Sequence, residues 1–246
     1  MSAAKTLSHN TLEKIQQRLS LYEIQGAEGG PYMTLTSPTN SVPVGQVRLL
    51  AGNPIQKVVY VGISAPPIQL DSHMLFAFTS ADSPVPHFTL DAIQAGPGFA
   101  FHLDLIPRVD LGANLEYMQA ALHPLTVEFE AVKTIEGLSP AHLSPQQCAL
   151  MSPWMLAYRA NEVAFLQIEK PVNTYLEHWF GLVRQGMSAE PIIGVDSVSL
   201  AHRDRLNRQA LFNPEVDPVW DKITPLIGLE SGVRIREILR NQAVES

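Results

Sequence analysis

Three ionisable side chains lie inside two apolar stretches of the chain between residues 87 and 111. The segment HFTLDAIQAGPGFAFHLDLIPRVDL contains Asp91, His102 and Asp104 on either side of a Gly-Pro-Gly turn. Apolar segments rarely bury carboxyl or imidazole groups without a partner, because an unpaired charge is costly away from water. A carboxyl group on a partly apolar surface has a raised pKa, so it could hold and donate a proton near neutral pH. The plainer alternative is that these groups are structural and bond to backbone amides or to an arginine.

The alternation of residues along a strand assigns each of these side chains to one face. Asp91 shares a face of the first strand with Thr89, while His102 and Asp104 share a face of the second. If the two strands pair across the turn, the two faces can align. A shift of the pairing by one residue would reverse that answer, so the sequence leaves the register open.

These residues lie in the last two of five strand-like runs, and the turn segments between most of the runs are too short to hold a helix. The runs are VRLLAG, KVVYVGIS, HMLFAFTS, HFTLDAIQ and FAFHLDLIP. This spacing favours antiparallel pairing over parallel crossovers. Helical patterns occur at both ends of the chain. We therefore predict an α+β fold with a single domain over residues 1–246, a three-layer α/β/α sandwich with a central antiparallel sheet.

Local signals predict where several other elements begin and end. Asn10 or Thr11 would cap a first helix, and Asp196 or Ser197 would cap a later one. The runs PWMLAYRA and EVAFLQIEK predict two further strands, joined by a tight turn at residues 160–161.

The composition restricts the classes of function. Apolar residues make up 46% and charged residues 17% of the 246 residues, which is typical of a globular domain. The net charge of −7 argues against nucleic acid as the main partner. Cys148 is the sole cysteine, so neither an internal disulfide nor a cysteine-rich metal or iron–sulfur site can form.

Several familiar motifs are missing from the sequence. It contains no Walker A loop, no G-x-G-x-x-G, no H-E-x-x-H and no G-x-S-x-G elbow, which disfavours nucleotide-binding and hydrolase classes. No run of about 18 apolar residues could span a membrane, and the N-terminus lacks the apolar core of a signal peptide. We therefore expect a cytoplasmic protein.

Two segments resemble red chlorophyll catabolite reductase, a member of the ferredoxin-dependent bilin reductase superfamily. The first is LFAFTSADSPVPHFTLDAIQAGPGFAFHLDLIPRVDL, and the second is EVDPVWDKITPLIGLESGVRIREIL near the C-terminus. The cues in the first segment are Pro86, His87, Phe88, Asp91, Ile93, Gln94, Pro97, Asp104, Leu105, Pro107, Arg108, Asp110 and Leu111. In the second segment an aspartate, Asp217, precedes a glycine and a final helix.

The resemblance implies a fold, a reaction and a set of residues. Members of the family are α/β/α sandwiches that bind an open-chain tetrapyrrole between the sheet and the C-terminal helices. They carry no bound cofactor, whether metal, flavin or nicotinamide, and they receive electrons singly from reduced ferredoxin. The acidic proton donors fall on Asp91, where plant reductases have a glutamate, and on Asp217. His102, which replaces an aliphatic residue, is an implied substrate contact. By their side-chain chemistry, Arg108 and Arg159 could pair with carboxylate groups of the substrate, and Phe88 could form an apolar wall. A surface ion pair with Asp110 is the plainer alternative for Arg108.

The resemblance leaves several alternatives open. The substrate could be red chlorophyll catabolite, as in chlorophyll catabolism, or biliverdin. The protein could instead be a non-catalytic tetrapyrrole carrier, or an unrelated α+β hydrolase. The oligomeric state is also open, a homodimer included.

Ferredoxin is acidic like this chain, so its docking would need a local basic patch. The densest clusters of arginines are Arg203, Arg205 and Arg208, and Arg234, Arg236 and Arg240.

Overall fold

One antiparallel sheet forms the centre of the fold. The computed structural model describes residues 2–187 and 196–243, and nine strands in these ranges belong to that sheet. The strands are β1 (Tyr22–Ile24), β2 (Met33–Thr36), β3 (Pro43–Gly52), β4 (Ile55–Ala65), β5 (Leu70–Thr79), β6 (His87–Ala95), β7 (Gly98–Ile106), β8 (Leu138–Pro140) and β9 (Leu156–Ala160). Their order is β1-β3-β4-β5-β6-β7-β9-β8, and β2 pairs with the same strand β3 as β1 does. All pairs are antiparallel, as the short turns between strands predict.

The pairing of β6 with β7 settles the register that the sequence leaves open. Asp91 lies directly opposite His102, and Thr89 lies opposite Asp104. On the other side of β6, Asp91 is paired with Met74 of β5. Since directly paired residues point to the same side of a sheet, the carboxyl and imidazole groups share one face.

Helices cover both faces of the sheet. They are α1 (Ala3–Arg18), α2 (Leu115–Ala121), α3 (Thr126–Val132), α4 (Pro145–Leu150), α5 (Glu162–Phe165), α6 (Glu169–Gln185), α7 (Ser197–Leu211), α8 (Val219–Ile227) and α9 (Leu229–Arg240). The described parts of the chain contain no helix with the length and apolar character of a membrane span.

Two separate apolar cores show that the fold has three layers. On one face, sheet residues such as Leu90 pack with Leu12 of α1 and Trp179 of α6. On the opposite face, sheet residues such as Val61 pack with Trp220 of α8 and other C-terminal residues. This arrangement confirms the predicted α/β/α sandwich, and it places Asp91 and His102 on the face that the C-terminal helices cover.

The structure corrects two local predictions. The first helix begins at Ala3, because Ser2 rather than Asn10 or Thr11 accepts the capping hydrogen bond, from the amide of Lys5 at 3.0 Å. The run after β9 is not a strand. Asn161 caps helix α5 there by accepting a hydrogen bond from the Ala164 amide at 2.9 Å. In both places the capping hydrogen bond determines where the helix begins. The predicted cap at Asp196 is confirmed, since it accepts from the Ser199 amide at 2.7 Å.

A buried ionic network ties α7 to the sheet. One carboxylate oxygen of Asp204 lies 2.7 Å from His87 Nε2 and 3.3 Å from an Arg108 guanidinium nitrogen, while the other accepts from Arg208 Nε at 2.9 Å. Burial and the charge of Arg108 lower the pKa of His87 to about 3, so this imidazole is neutral. Burial raises the pKa of Asp204, but His87 and the two guanidinium groups outweigh burial and lower it overall.

Arg108 and Arg208 are therefore structural residues, since both pair with Asp204 inside the protein. The side chain of Arg108 is 1% exposed, and it also donates to the hydroxyl of Thr79 at 2.9 Å. Arg208 is fully buried and stacks over the ring of Phe78. Neither side chain can pair with a substrate or a partner surface. This corrects the expectation that Arg108 contacts the substrate and that Arg208 belongs to a basic surface cluster.

Candidate active site

A cavity of about 280 Å³ lies between the sheet and the C-terminal helices. Its floor comes from the central strands β5, β6, β7 and β9, and its cover comes from α7, α8 and the segment around α4. The apolar part of the lining consists mainly of Met74, Phe76, Ile93, Leu143, Leu150, Met151, Met155, Leu211, Phe212, Val216, Val219 and Trp220. The polar part includes Asp91, His102 and Asp217, so the cavity brings together three of the residues that the sequence singled out.

Asp91 and His102 form a pair on the floor of this cavity. The distance from His102 Nδ1 to Asp91 Oδ2 is 3.5 Å, and the two side chains are 17% and 25% exposed. Burial lowers the pKa of His102, but the contact with Asp91 and the negative charges of Asp91, Asp104 and Asp217 outweigh burial and raise it overall. The imidazole is therefore held in its charged form to a higher pH than an ordinary histidine.

Asp217 reaches the same cavity from the opposite side, just before α8. Its carboxylate accepts a hydrogen bond from the amide of Val219, the first residue of that helix, at 3.1 Å. Burial raises the pKa of Asp217 to about 6, with a further contribution from the negative charge of Asp91. A carboxyl group with this pKa is partly protonated near neutral pH, as a general acid requires.

Asp104 has a different role from Asp91, although the two residues share a face of the sheet. Its side chain is fully buried and accepts hydrogen bonds from the amide and the hydroxyl of Ser152, at 2.8 and 2.5 Å. Burial raises its pKa, while His102 and Ser152 oppose the shift. Asp104 is thus the satisfied carboxyl group that the plainer interpretation expects, and it fixes the segment after α4 against the sheet.

Three buried polar atoms at the cavity lack a hydrogen-bond partner among the described residues. They are Asp91 Oδ1, His102 Nε2 and Trp220 Nε1. Leaving a buried donor or acceptor unsatisfied costs about 1–3 kcal/mol, so a cavity lined by several such atoms is suited to a polar ligand. The side chain of Trp220 is 2% exposed. Its indole N–H adds a donor that no sequence pattern indicated.

Two cations lie at the rim of the cavity. Arg159 of β9 is exposed and is paired in the sheet with Ala100, which lines the cavity. Lys222 of α8 lines the cavity itself and is exposed. No ion pair joins either side chain to an acidic residue within residues 2–187 and 196–243. Arg159 lies on the cavity side of the sheet without lining the cavity, and Lys222 is a residue that the sequence did not single out.

Phe88 does not reach the cavity. Its neighbours in the pairing put it on the opposite face of the sheet, where its ring is fully buried and lies 5.8 Å from that of Trp179. Alternation along β6 requires this, because Asp91 and Phe88 differ by an odd number of residues. The structure therefore corrects the expectation that Phe88 contacts the substrate.

The donor atoms at this site do not form a metal centre. Within the described ranges, no three His, Cys, Asp or Glu side chains are grouped closely enough to hold a metal ion. What the arrangement can do is hold protons next to an apolar surface.

The fold and the site together define an α/β/α sandwich with an acid-lined cavity under its C-terminal helices. Among solved structures, the chain is similar to SeMet-phytochromobilin synthase from tomato in complex with biliverdin. The TM-score is 0.77 and the sequences are 17% identical, over 97% of this chain and 83% of that one. At this identity the likeness shows the fold. Neither a protein-family model nor a curated protein matches the sequence.

Proposed function

We propose that this protein reduces a linear tetrapyrrole, with electrons delivered one at a time by reduced ferredoxin. The observation that carries the proposal is the convergence of Asp91, His102 and Asp217 in one apolar cavity below the C-terminal helices. The pKa of His102 is raised above its ordinary value, the pKa of Asp217 is raised to about 6, and apolar side chains surround both groups. This is the arrangement needed to protonate a flat conjugated molecule. The similar fold of the tomato protein, which was solved with biliverdin, supports the same class of ligand.

Each two-electron reduction of such a substrate consumes two electrons and two protons. One electron and one proton give a neutral substrate radical, and a second pair completes the new C–H bonds or N–H bonds. Asp91 and Asp217 lie on opposite sides of the cavity, so each can serve one of the two proton transfers. The electrons come from ferredoxin, and the protein needs no bound flavin, metal or nicotinamide for these steps.

The rim cations and the unpartnered indole N–H account for binding. Arg159 and Lys222 are placed to pair with carboxylate groups of the substrate, since a guanidinium group binds a carboxylate well. Trp220 Nε1 can donate to a carbonyl oxygen of the substrate. Ligand pockets usually measure about 300–1,000 Å³. At about 280 Å³ the cavity must widen for a tetrapyrrole, and the flexible side chains of its methionines can yield.

We propose a red chlorophyll catabolite-like compound as the substrate, because two segments of the sequence resemble the reductase of that compound. Biliverdin is the second candidate, and the biliverdin in the structure of the tomato protein favours it. Both are open-chain tetrapyrroles with carboxylate groups, so both fit the acids of the cavity and the cations of its rim.

A direct test mixes the purified protein anaerobically with each tetrapyrrole, with and without reduced ferredoxin, and follows the absorption spectrum. We expect spectral binding without ferredoxin and loss of the conjugated chromophore only with it. Binding of both compounds without any turnover would instead identify a carrier. If neither compound binds, the proposal fails. A flavin released by heating the protein would contradict the ferredoxin-only mechanism.

A further inference from the structure

The indole N–H groups of the three tryptophans have different surroundings. Trp154 Nε1 donates to the hydroxyl of Thr126 at 2.9 Å, and Trp179 Nε1 donates to the carbonyl of Pro86 at 2.8 Å. Trp220 Nε1 is buried and has no hydrogen-bond partner in the part of the chain that the structure describes. Two indoles thus have structural partners, whereas the third presents a buried donor.

This donor belongs to the wall of the cavity. Trp220 lines the cavity, and its side chain is 2% exposed. The indole nitrogen can only donate, so it favours an acceptor such as a carbonyl oxygen over an N–H or an ammonium group. A buried donor without a partner is costly, and a ligand with an acceptor removes that cost. The wall is therefore suited to a ligand that carries an oxygen acceptor at this point.

Local contacts fix the indole at the start of α8. The guanidinium carbon of Arg236, on α9, lies 5.4 Å from the ring centroid, and the backbone carbonyl of Trp220 accepts from the Thr224 hydroxyl at 2.6 Å. Asp217 lies three residues earlier, lines the same cavity and accepts from the amide of Val219 at 3.1 Å. The donor and the acid thus come from four consecutive residues, and both face the ligand space.

We propose that Trp220 is the specificity residue of the cavity, whose indole N–H binds a terminal lactam carbonyl of the tetrapyrrole and holds that ring beside Asp217. This inference rests on the proposed function and deepens it. Biliverdin, the ligand in the structure of the tomato protein, ends in two lactam rings, each with a carbonyl oxygen. A site built around a donor discriminates strongly against an analogue without the acceptor, because the donor is then left buried and unpaired.

The same contact decides where the new C–H bond forms. A flat tetrapyrrole can enter an apolar cavity in more than one orientation, because apolar contacts have no direction. A few placed polar groups fix the orientation of a ligand in such a pocket. With its terminal ring held by Trp220, the substrate offers the carbon atoms of that end to the proton of Asp217.

A double-mutant cycle tests the contact without turnover. Wild type and Trp220→Phe are each titrated by absorbance with biliverdin and with its bis-lactim ether, in which O-methylation removes the carbonyl acceptors. We expect the wild type to bind biliverdin about tenfold more tightly than Trp220→Phe, as for one lost hydrogen bond, and the difference to vanish for the ether. The same ratio of affinities for both ligands would overturn the proposal.

Trp179→Phe is the matched control. It makes the same change in the core on the opposite face of the sheet, so its affinity for both ligands should match that of the wild type. Chemical unfolding without ligand adds a second readout. Trp179→Phe leaves the Pro86 carbonyl unpaired and should lower stability, whereas Trp220→Phe removes an unpaired donor and should lower it less. Should Trp220→Phe fail to fold, Trp220→Leu, which also lacks the donor, is titrated in the same way.

Product analysis separates the role of Trp220 from the proposed function. With reduced ferredoxin, we expect the wild type to form one isomer and Trp220→Phe to form a mixture that chromatography resolves. If the wild type turns over and Trp220→Phe gives the same single product, the role of Trp220 is wrong and the reductase stands. If the wild type neither binds nor reduces a tetrapyrrole, the proposed function is wrong, and the role of Trp220 falls with it.

Discussion

At the scale of single residues, Asp91 and Asp217 approach one cavity from opposite layers and in different electrostatic surroundings. Asp91 sits on a strand beside an imidazole with a raised pKa, whereas Asp217 lies before a helix, and burial raises its pKa to about 6. Pairs of acids in unlike environments are what a reaction with two proton transfers requires. Asp91 and Asp217 have the same side chain, so only their different surroundings can suit them to different proton transfers.

Asp91→Asn removes a dissociable proton while it keeps the size and hydrogen bonding of the side chain. We expect the fold and tetrapyrrole binding to survive, because the amide keeps the size of the side chain and the neighbouring imidazole of His102 can lose its proton once the negative charge is gone. Turnover should fall by about 10² or more, the usual scale for loss of one acid–base group. Steady-state reduction with ferredoxin and equilibrium binding by absorbance measure the two effects. Asp110→Asn, which changes an exposed loop carboxylate, is the control. Full activity in Asp91→Asn would contradict the assignment.

Asp217 predicts a dependence of stability on pH. Its pKa rises from 3.8 to about 6 in the folded protein, so the folded state binds this proton more tightly than the unfolded state. Stability is therefore lost as the pH rises between these two values. One pKa unit corresponds to about 1.4 kcal/mol, so Asp217→Asn should be more stable than the wild type by up to about 3 kcal/mol above that range and similar below it.

Urea unfolding at about pH 4 and about pH 7 measures this difference. Asp221→Asn changes an exposed carboxyl group one turn away, and it should follow the wild type at both pH values. A constant difference between Asp217→Asn and the wild type across the range would show that the carboxyl group of Asp217 is not perturbed by folding.

The sequence predicted the side chains of the cavity floor better than those of its cover. Alternation along a strand has a period of two, so once β6 pairs with β7 without a shift, Asp91 and His102 must share a face. The same rule places Phe88 on the other face, which the resemblance to a family had obscured. Trp220 and Lys222 reach the site through the packing of α8 on the sheet, and this depends on contacts far apart in the chain.

At the scale of elements, the strands were predictable because their turns are short and their apolar runs are continuous. The ends of the helices were less so. A single capping side chain decides whether a segment such as residues 162–165 becomes a helix, since it satisfies amides that a strand would leave to its neighbours. The position of α7 over the sheet depends on contacts between residues up to 117 apart, such as the hydrogen bond between His87 and Asp204, and no local pattern encodes them.

Removal of the Asp204 carboxylate should loosen α7 from the sheet. Asp204→Ala leaves the guanidinium groups of Arg108 and Arg208 buried without their counter-charge. Breaking a buried pair in this way costs about 3–5 kcal/mol, which we expect in chemical unfolding. Asp196→Ala, on the same helix, removes only the N-cap and should cost clearly less. Equal losses in the two variants would mean that the buried network contributes no more than an ordinary cap.

At the scale of the whole molecule, charge and layering restrict where the acidic electron donor of the proposed reaction can dock. The net charge is −7, so a local basic surface must offset a general repulsion. Of the other arginines in the two clusters, Arg208 is buried, Arg203 donates to the carbonyl of Pro107 and Arg234 lies 3.5 Å from Glu237. Arg236 lies over the ring of Trp220, and Arg240 donates to the carbonyl of Phe212. Arg205 remains exposed on α7, in the layer that covers the cavity.

Reversal of the charge at Arg205 should therefore weaken the encounter with ferredoxin. In Arg205→Glu we expect KM for ferredoxin to rise by about tenfold at low ionic strength, and the rate to depend less on salt, because long-range steering is lost. Tetrapyrrole binding measured without ferredoxin should not change. Arg184→Glu makes the same charge change at an exposed position of α6, in the opposite layer, and should leave the kinetics as in the wild type. If the two variants behave alike over a range of salt concentrations, ferredoxin docks away from α7, and electrons must enter the cavity from another side of the sandwich.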